Sequence, residues 1–276
     1  MTPLLGLHHV TALAGDAQAN LDYYRNIAGM RLIKRTVNYD DPAQHHFYYA
    51  DREASLGSVL TFFPWGHARE ARKGTGQAVA VAFMGRAAPS AAVRFGQSVS
   101  LAADPDGMTL ETIAQNRSQH RLHSVTLSVA DLENAEKALG ELLQLQRVGQ
   151  EDNRVRYAVG PDQFLDLLHH PGVEPGKMAA GSIHHVALRV GSEDSLNEWR
   201  TRLVDSGLRV TPIKDRNYFH SIYFRPRGLT LFELATESPG FTIDESADAL
   251  GTRLCLPHWL EPHRAEIEGR LSQVQI

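Results

Sequence analysis

Histidine is the residue type in this sequence best placed to do chemistry. The 276-residue chain holds 14 histidines, and several stand as doublets: His8-His9, His45-His46, His169-His170 and His184-His185. Two doublets share one setting. Leu7-His8-His9-Val10-Thr11-Ala12-Leu13 returns as Ile183-His184-His185-Val186-Ala187-Leu188-Arg189, and a weaker copy, Leu122-His123-Ser124-Val125-Thr126-Leu127-Ser128, lacks the second histidine. Far along the chain, Gly228-Leu-Thr-Leu-Phe-Glu-Leu sets Glu233 in an apolar, strand-like run with Leu229 and Leu231 on its face. An ionisable group there needs a partner to justify its burial. Two imidazoles and one carboxylate form a donor set that holds Fe(II) and leaves positions open for an organic substrate and O2. Neighbouring side chains of a regular strand face opposite ways, so one histidine of each doublet is expected to face the metal. His45, His46, His169 and His170 lack the repeated setting and read as core or exposed residues. Asp166 and Glu111 lie on similar strands in segments without a doublet and read as structural. Gly74-Thr-Gly-Gln is too short a glycine pattern for nucleotide binding.

The elements that must position these residues also repeat. The three histidine segments, and a fourth without histidine at Ala78-Val-Ala-Val-Ala-Phe, have the length and β-branched content of strands. Three of them lead into helix-like stretches: Asp16 to Gly29, with Leu21, Tyr24, Ile27 and Ala28 as an apolar stripe; Leu132 to Leu143; and Ser195 to Ser206. Gly29 and Gly207 suit helix C-termini. Each unit closes on an apolar strand, at Gly57-Ser-Val-Leu-Thr-Phe-Phe, Gly107-Met-Thr-Leu-Glu-Thr-Ile, Gln163-Phe-Leu-Asp-Leu-Leu and Gly228-Leu-Thr-Leu-Phe-Glu-Leu. The second unit is short, with too little chain between Met84 and Phe95 for a helix and a strand. The expectation is an α+β fold of four βαβββ modules, 1–66, 75–116, 120–172 and 181–240, with module two truncated. A tail, 241–276, ends in a helix from Glu261 to Val274 that caps the body.

Composition narrows the partners. The chain is 42% hydrophobic and 22% charged, with net charge -4, and its Lys and Arg are spread out, which argues against nucleic acid and anionic membranes. The single cysteine, Cys255, fits a reducing cytoplasm. The start lacks the features of a signal peptide, and no apolar run approaches the roughly 18 residues of a membrane span. A cytoplasmic protein is expected; a homo-oligomer is left open.

The sequence resembles the vicinal oxygen chelate superfamily (glyoxalases, bleomycin resistance proteins and extradiol dioxygenases), and within it the ring-cleaving dioxygenases of hydroquinones. The resemblance is carried by Gly6-Leu-His-His-Val-Thr with Ala14-Gly-Asp, by Met30-Arg-Leu-Ile-Lys-Arg-Thr-Val-Asn, by His184-His-Val-Ala, and by Tyr223 through Glu233. It implies paired modules that curl into half-barrels, and it selects His9, His185 and Glu233 as ligands of Fe(II), with Mn(II) as the alternative ion. For these to meet, modules one and four must share a barrel (1–66 plus 181–240), leaving 75–172 as the second. The resemblance further implies a dihydroxyaromatic substrate opened by O2. Tyr223 and Arg216 would bond its ionised hydroxyl, with His8, Thr11 and His184 lining the pocket. His8 or His184 would transfer protons, because imidazole titrates near neutrality. Aligning Gly57-Ser-Val-Leu-Thr-Phe with Gly228-Leu-Thr-Leu-Phe-Glu puts Phe62 opposite Glu233, where glyoxalase-type relatives carry a fourth ligand. A slip of one would bring Thr61 or Phe63 there. Phe62 cannot ligate, which favours open coordination. The rival readings are a glyoxalase-like metal-dependent isomerase or lyase, and a non-catalytic binding protein that sequesters small molecules.

Overall fold

Each of the repeated segments forms a strand. The computed structural model describes residues 2–66, 71–85, 89, 91–115 and 120–276. Module one opens with β1 (Leu7–Ala14). The Asp16 side chain then caps α1 (Ala17–Asp22) by accepting from the Ala19 amide. The chain runs on through a π-helical turn, Tyr23–Ile27, into β2 (Arg31–Asn38), β3 (Asp41–Ala50) and β4 (Val59–Pro64). The wider π turn holds an extra residue and rotates the expected apolar stripe. Leu21 and Tyr24 are buried, but Ile27 is 74% exposed, which corrects its placement in the stripe.

Module two contributes β5 (Gln77–Gly85), β6 (Ala92–Arg94), β7 (Gln97–Ala103) and β8 (Thr109–Ala114). Between β5 and β6 no helix occurs among the described residues; residues 86–88 and 90 of that stretch lie outside them. A three-residue strand, β6, does form where the sequence seemed too short for one. Module three gives β9 (Leu122–Val129), α2 (Leu132–Lys137) with a second π turn, then β10 (Gln146–Glu151), β11 (Arg154–Gly160) and β12 (Gln163–His169). Module four gives β13 (Ile183–Val190), α3 (Glu193–Asp205) capped by Ser192, β14 (Lys214–Asp215), β15 (Phe219–Phe224) and β16 (Leu231–Pro239). β16 begins at Leu231, so Leu229 lies in the preceding turn and joins the apolar core instead of sharing a strand face with Glu233.

The strands make two curled, mixed eight-stranded half-barrels, ordered β14-β15-β16-β13-β1-β4-β3-β2 and β10-β11-β12-β9-β5-β8-β7-β6. Modules one and four therefore join through β1 and β13, and modules two and three through β5 and β9. One face of both sheets feeds a common core, with Val10, Phe62 and Val186 from one and Val81, Val125 and Leu165 from the other. The opposite face of the first sheet carries polar groups and a smaller apolar cluster, including Tyr48, Val59, Phe219 and Leu250. The C-terminal tail anchors there: the buried ammonium of Lys34 meets Asp244 at 2.6 Å and also pairs with Glu245. The tail helix is shorter than expected. A 3-10 turn at Glu261–His263 leads into α4 (Arg264–Arg270). The chain then becomes extended at Leu271, which buries itself with Val37, Leu256 and Ile267.

Candidate metal centre

The pairing of β1 with β13 explains the histidine doublets. The two strands run antiparallel with His9 opposite Ala187 and Thr11 opposite His185. The register shifts between Leu7 and His9 and again between Thr11 and Ala12. The extra residues are His8 on β1 and His184 on β13, each the bulged residue of a β-bulge. A bulge breaks the alternation assumed for a regular strand, so both rings of each doublet lie side by side instead of on opposite faces. The His8 and His9 rings both contact Phe219, with centroids 4.9 Å and 5.4 Å away.

His9, His185 and Glu233 converge on one point. His9 Nε2 and His185 Nε2 are 3.1 Å apart, and Glu233 Oε2 stands 3.2 Å from the first and 2.9 Å from the second. All three residues are buried and together could hold a metal ion. Donors about 2.1 Å from a metal lie about 3.0 Å apart when adjacent on an octahedron and about 3.4 Å apart on a tetrahedron. The observed triangle matches one face of an octahedron and leaves the opposite face to other ligands. Among the described residues no atom bonds Glu233 Oε2 outside this triangle, although it is buried.

Proton placement follows from the neighbours. His8 Nε2 lies 3.1 Å from the Thr236 carbonyl, which can only accept, so Nε2 carries the hydrogen. His8 Nδ1 is then a lone pair, and His9 Nδ1, at 2.8 Å, donates to it. His9 Nε2 is left unprotonated and turned to the triad. His184 Nδ1 and His185 Nδ1 are likewise paired at 2.7 Å. Burial, and next the neighbouring His9, push His8 down to about 3. Burial and His185 do the same to His184, also to about 3. The expectation that these two titrate near neutrality is corrected: both are neutral there, and His8 has both nitrogens engaged. Burial also lowers His185. Burial opposes ionisation of Glu233, yet His9 and His185 hold its carboxyl well below the usual range.

Tyr223 stands directly across from Glu233 in the β15–β16 ladder, so the two share a face. Its hydroxyl donates to Glu233 Oε1 at 2.9 Å and accepts from Arg216 Nε at 3.1 Å. A terminal nitrogen of Arg216 donates to Asp40 at 2.9 Å. Burial would lower the Arg216 pKa, but Tyr223 and Asp40 outweigh it and raise it. Tyr223 thus grips the carboxylate of the triad, and Arg216 holds the Tyr223 hydroxyl from behind.

Thr11 bonds Thr61 through their hydroxyls at 2.7 Å, and His46 Nε2 lies 2.9 Å from the Thr61 hydroxyl. His46, read from the sequence as a core or exposed residue, is buried within the electrostatic reach of His9, His185 and Glu233. Its doublet carried no repeat to mark it; only its place across the sheet does. Phe62 does not line the site. Its ring packs 4.5 Å from Tyr24 and 6.0 Å from Tyr49, on the core face of β4. Register identifies the true counterpart of Glu233. His185 pairs with Leu231 and Ala187 with Glu233, while His9 pairs with Val59 and Thr11 with Thr61. Thr61 therefore occupies the place where Phe62 was expected, and its neutral hydroxyl is already bonded.

The sequence matches the glyoxalase/bleomycin resistance protein/dioxygenase superfamily over residues 6–85 and 121–243. It is 34% identical to "Putative ring-cleaving dioxygenase MhqO" of Bacillus subtilis (strain 168), covering 99% of this chain and 97% of that protein. It is 30% identical to a chlorohydroquinone/hydroquinone 1,2-dioxygenase of Sphingobium indicum, over 95% and 94% of the two chains. Among solved structures, a dioxygenase of B. subtilis described as putative superposes with a TM-score of 0.94 at 33% identity, covering 100% of this chain and 99% of that one. Glyoxalase I of Zea mays shares the fold, with a TM-score of 0.64 at 17% identity over 84% of this chain and 92% of that one. On its match over most of its length and on these relatives, the chain belongs to the glyoxalase/bleomycin resistance protein/dioxygenase superfamily.

Proposed function

We propose that this protein is a ring-cleaving dioxygenase that opens a hydroquinone- or catechol-type dihydroxyaromatic with O2, using Fe(II) held by His9, His185 and Glu233. The observation that carries the reading is the buried donor triangle, whose edges of 2.9–3.2 Å suit one face of an octahedron. Held by these three residues, such an ion would supply Lewis-acid activation of the substrate hydroxyl and a site for O2. The remaining work belongs to the chain. His8 sets the tautomer of His9, and His184 orients His185. Tyr223 engages one oxygen of Glu233 so that the other faces the triad. Arg216 places a permanent cation beside the site, where it stabilises an ionised hydroxyl. Thr11, Thr61 and His46 form a hydrogen-bonded wall without a fourth ligand, which supports the dioxygenase over a glyoxalase-like isomerase. We assign 1–66 with 181–240 as the metal-bearing unit, 75–172 as the second half-barrel and 241–276 as the cap.

The test is O2 uptake by protein loaded anaerobically with Fe(II), over hydroquinone, chlorohydroquinone, catechol and a thiol hemiacetal. Uptake with a dihydroxyaromatic and a ring-opened acid as product is expected. No uptake with any aromatic, or turnover of the hemiacetal alone, overturns the reading.

A further inference from the structure

The second half-barrel repeats the register of the first with different chemistry. In it Ala80 pairs with Thr109 and Ala82 with Glu111, while Ser124 pairs with Phe164 and Thr126 with Asp166. Ala80 thus stands at the place of His9 and Ser124 at that of His185. Asp166 takes the place of Glu233, and Glu111 that of Thr61. With the imidazoles gone, guanidinium groups meet the carboxylates. Arg156, cross-strand from Asp166 as Tyr223 is from Glu233, grips it at 2.7 Å and 2.8 Å. Arg94 pairs with Glu111.

Replacing imidazole by small side chains coincides with a cavity of about 390 Å³, bordered by Lys73, Ala80, Arg94, Thr126, Arg154 and His170. That is the size of a small-ligand pocket. Among the described residues the charged groups on it or directly behind it are Lys73, Arg94, Arg154 and Arg156 against Glu111 and Asp166, so cations exceed anions by two there. Arg154 is only 8% exposed, yet a single terminal nitrogen is bonded, to Thr126 Oγ1 at 2.7 Å and Asp166 at 3.3 Å. Its Nε and other terminal nitrogen have no acceptor among the described residues. Among the described residues Lys73 bonds only the Thr109 hydroxyl, at 2.7 Å. A nearly buried guanidinium with unused donors calls for an anion with planar acceptors, and a carboxylate fits that fork. Val79, Leu168 and Val173 supply an apolar wall, and Thr109, Ser128 and the Arg94-paired Glu111 add polar lining.

We propose that this cavity binds a small organic acid, its carboxylate held by Arg154, Arg94 and Lys73 and its carbon body against Val79, Leu168 and Val173. The site is independent of the metal reading, because none of its residues belongs to the triad.

Calorimetric titration of the full-length protein, as purified, with maleate, benzoate and inorganic phosphate tests it. One saturable site for a carboxylate is expected. Lys73→Met, at an exposed position on the rim, should weaken it about ten-fold with an unchanged melting temperature. Glu233→Gln, which disables the triad, should leave it in place. Absence of saturable carboxylate binding, a preference for phosphate, full affinity in Lys73→Met, or loss of binding in Glu233→Gln each overturns the proposal.

Discussion

Replacing His8 by asparagine and by glutamine separates its effect on His9 from its packing. His8 Nε2–H donates to the Thr236 carbonyl at 3.1 Å, and its Nδ1 accepts from His9 at 2.8 Å. Asparagine places its amide oxygen near the position of Nδ1 and retains an acceptor for the His9 N–H. Glutamine reaches toward the position of Nε2 and leaves that N–H without one, so His9 loses the partner that keeps its Nε2 unprotonated. Removing such an outer partner of a metal-bound histidine lowers metal affinity about 10–100-fold, or about 1.4–2.7 kcal/mol. The assay is competition for Mn(II) against a fluorescent chelator, with no turnover involved. His8→Asn should stay within about three-fold of the parent, since one hydrogen bond of two survives, and His8→Gln should fall 10–100-fold. Equal losses in both variants would reduce His8 to a packing residue, and no loss in either would refute the tautomer argument.

Three further outcomes are expected. Glu233→Gln removes the only anion of the triad, so metal content after purification should drop at least about ten-fold, with O2 uptake lost; retained metal on elemental analysis would place the ion elsewhere. Lys34→Met strands the buried Glu245 carboxylate beside Asp244, which should cost about 3–5 kcal/mol in urea denaturation; a change below 1 kcal/mol would mean the cap is held by apolar contacts instead. Burial, and next Arg156, push His123 down to about 4. As pH falls below 6.5, the unfolded chain therefore takes up a proton that the folded one does not. Stability should decline by about 1.4 kcal/mol per pH unit from this group. His123→Phe should lose about 2 kcal/mol less than the parent between pH 7 and pH 5, and identical pH dependence would contradict this.

What the sequence made legible was whatever repeated. The segments around His9 and His185 are near copies, so their strands were legible in the sequence, whereas joining them with the distant Glu233 as one ligand set rested on the family resemblance. What stayed hidden depended on local backbone geometry. A bulge leaves no periodic signal, so alternation put one histidine of each doublet toward the metal and the pairing of the two rings stayed hidden. The π turn after α1 shifts the helical phase by about one residue, which carried Ile27 outward. Phe62 and Thr61 are adjacent, and a one-residue slip reverses a strand side chain; only the ladder resolves them. His46 has no counterpart elsewhere in the chain, so no repeat pointed to it.

The bulges themselves belong to the scaffold, not to the metal site. In the second half-barrel the β5–β9 pairing shifts register at Val79 and again at His123, the positions that match His8 and His184. Neither neighbour, Ala80 or Ser124, can act as a histidine ligand, yet the backbone keeps the same two irregularities. Metal binding therefore does not force the bulges. Among the described residues of the second half-barrel no histidine pair accompanies them, while in the first each bulged histidine brings a second ring next to its neighbour, within reach of its Nδ1. In both doublets the bulged histidine thus pairs through Nδ1 with the histidine proposed as a ligand. In the second half-barrel His123 stands at the bulged place of His184, with Ser124 beside it at the place of His185.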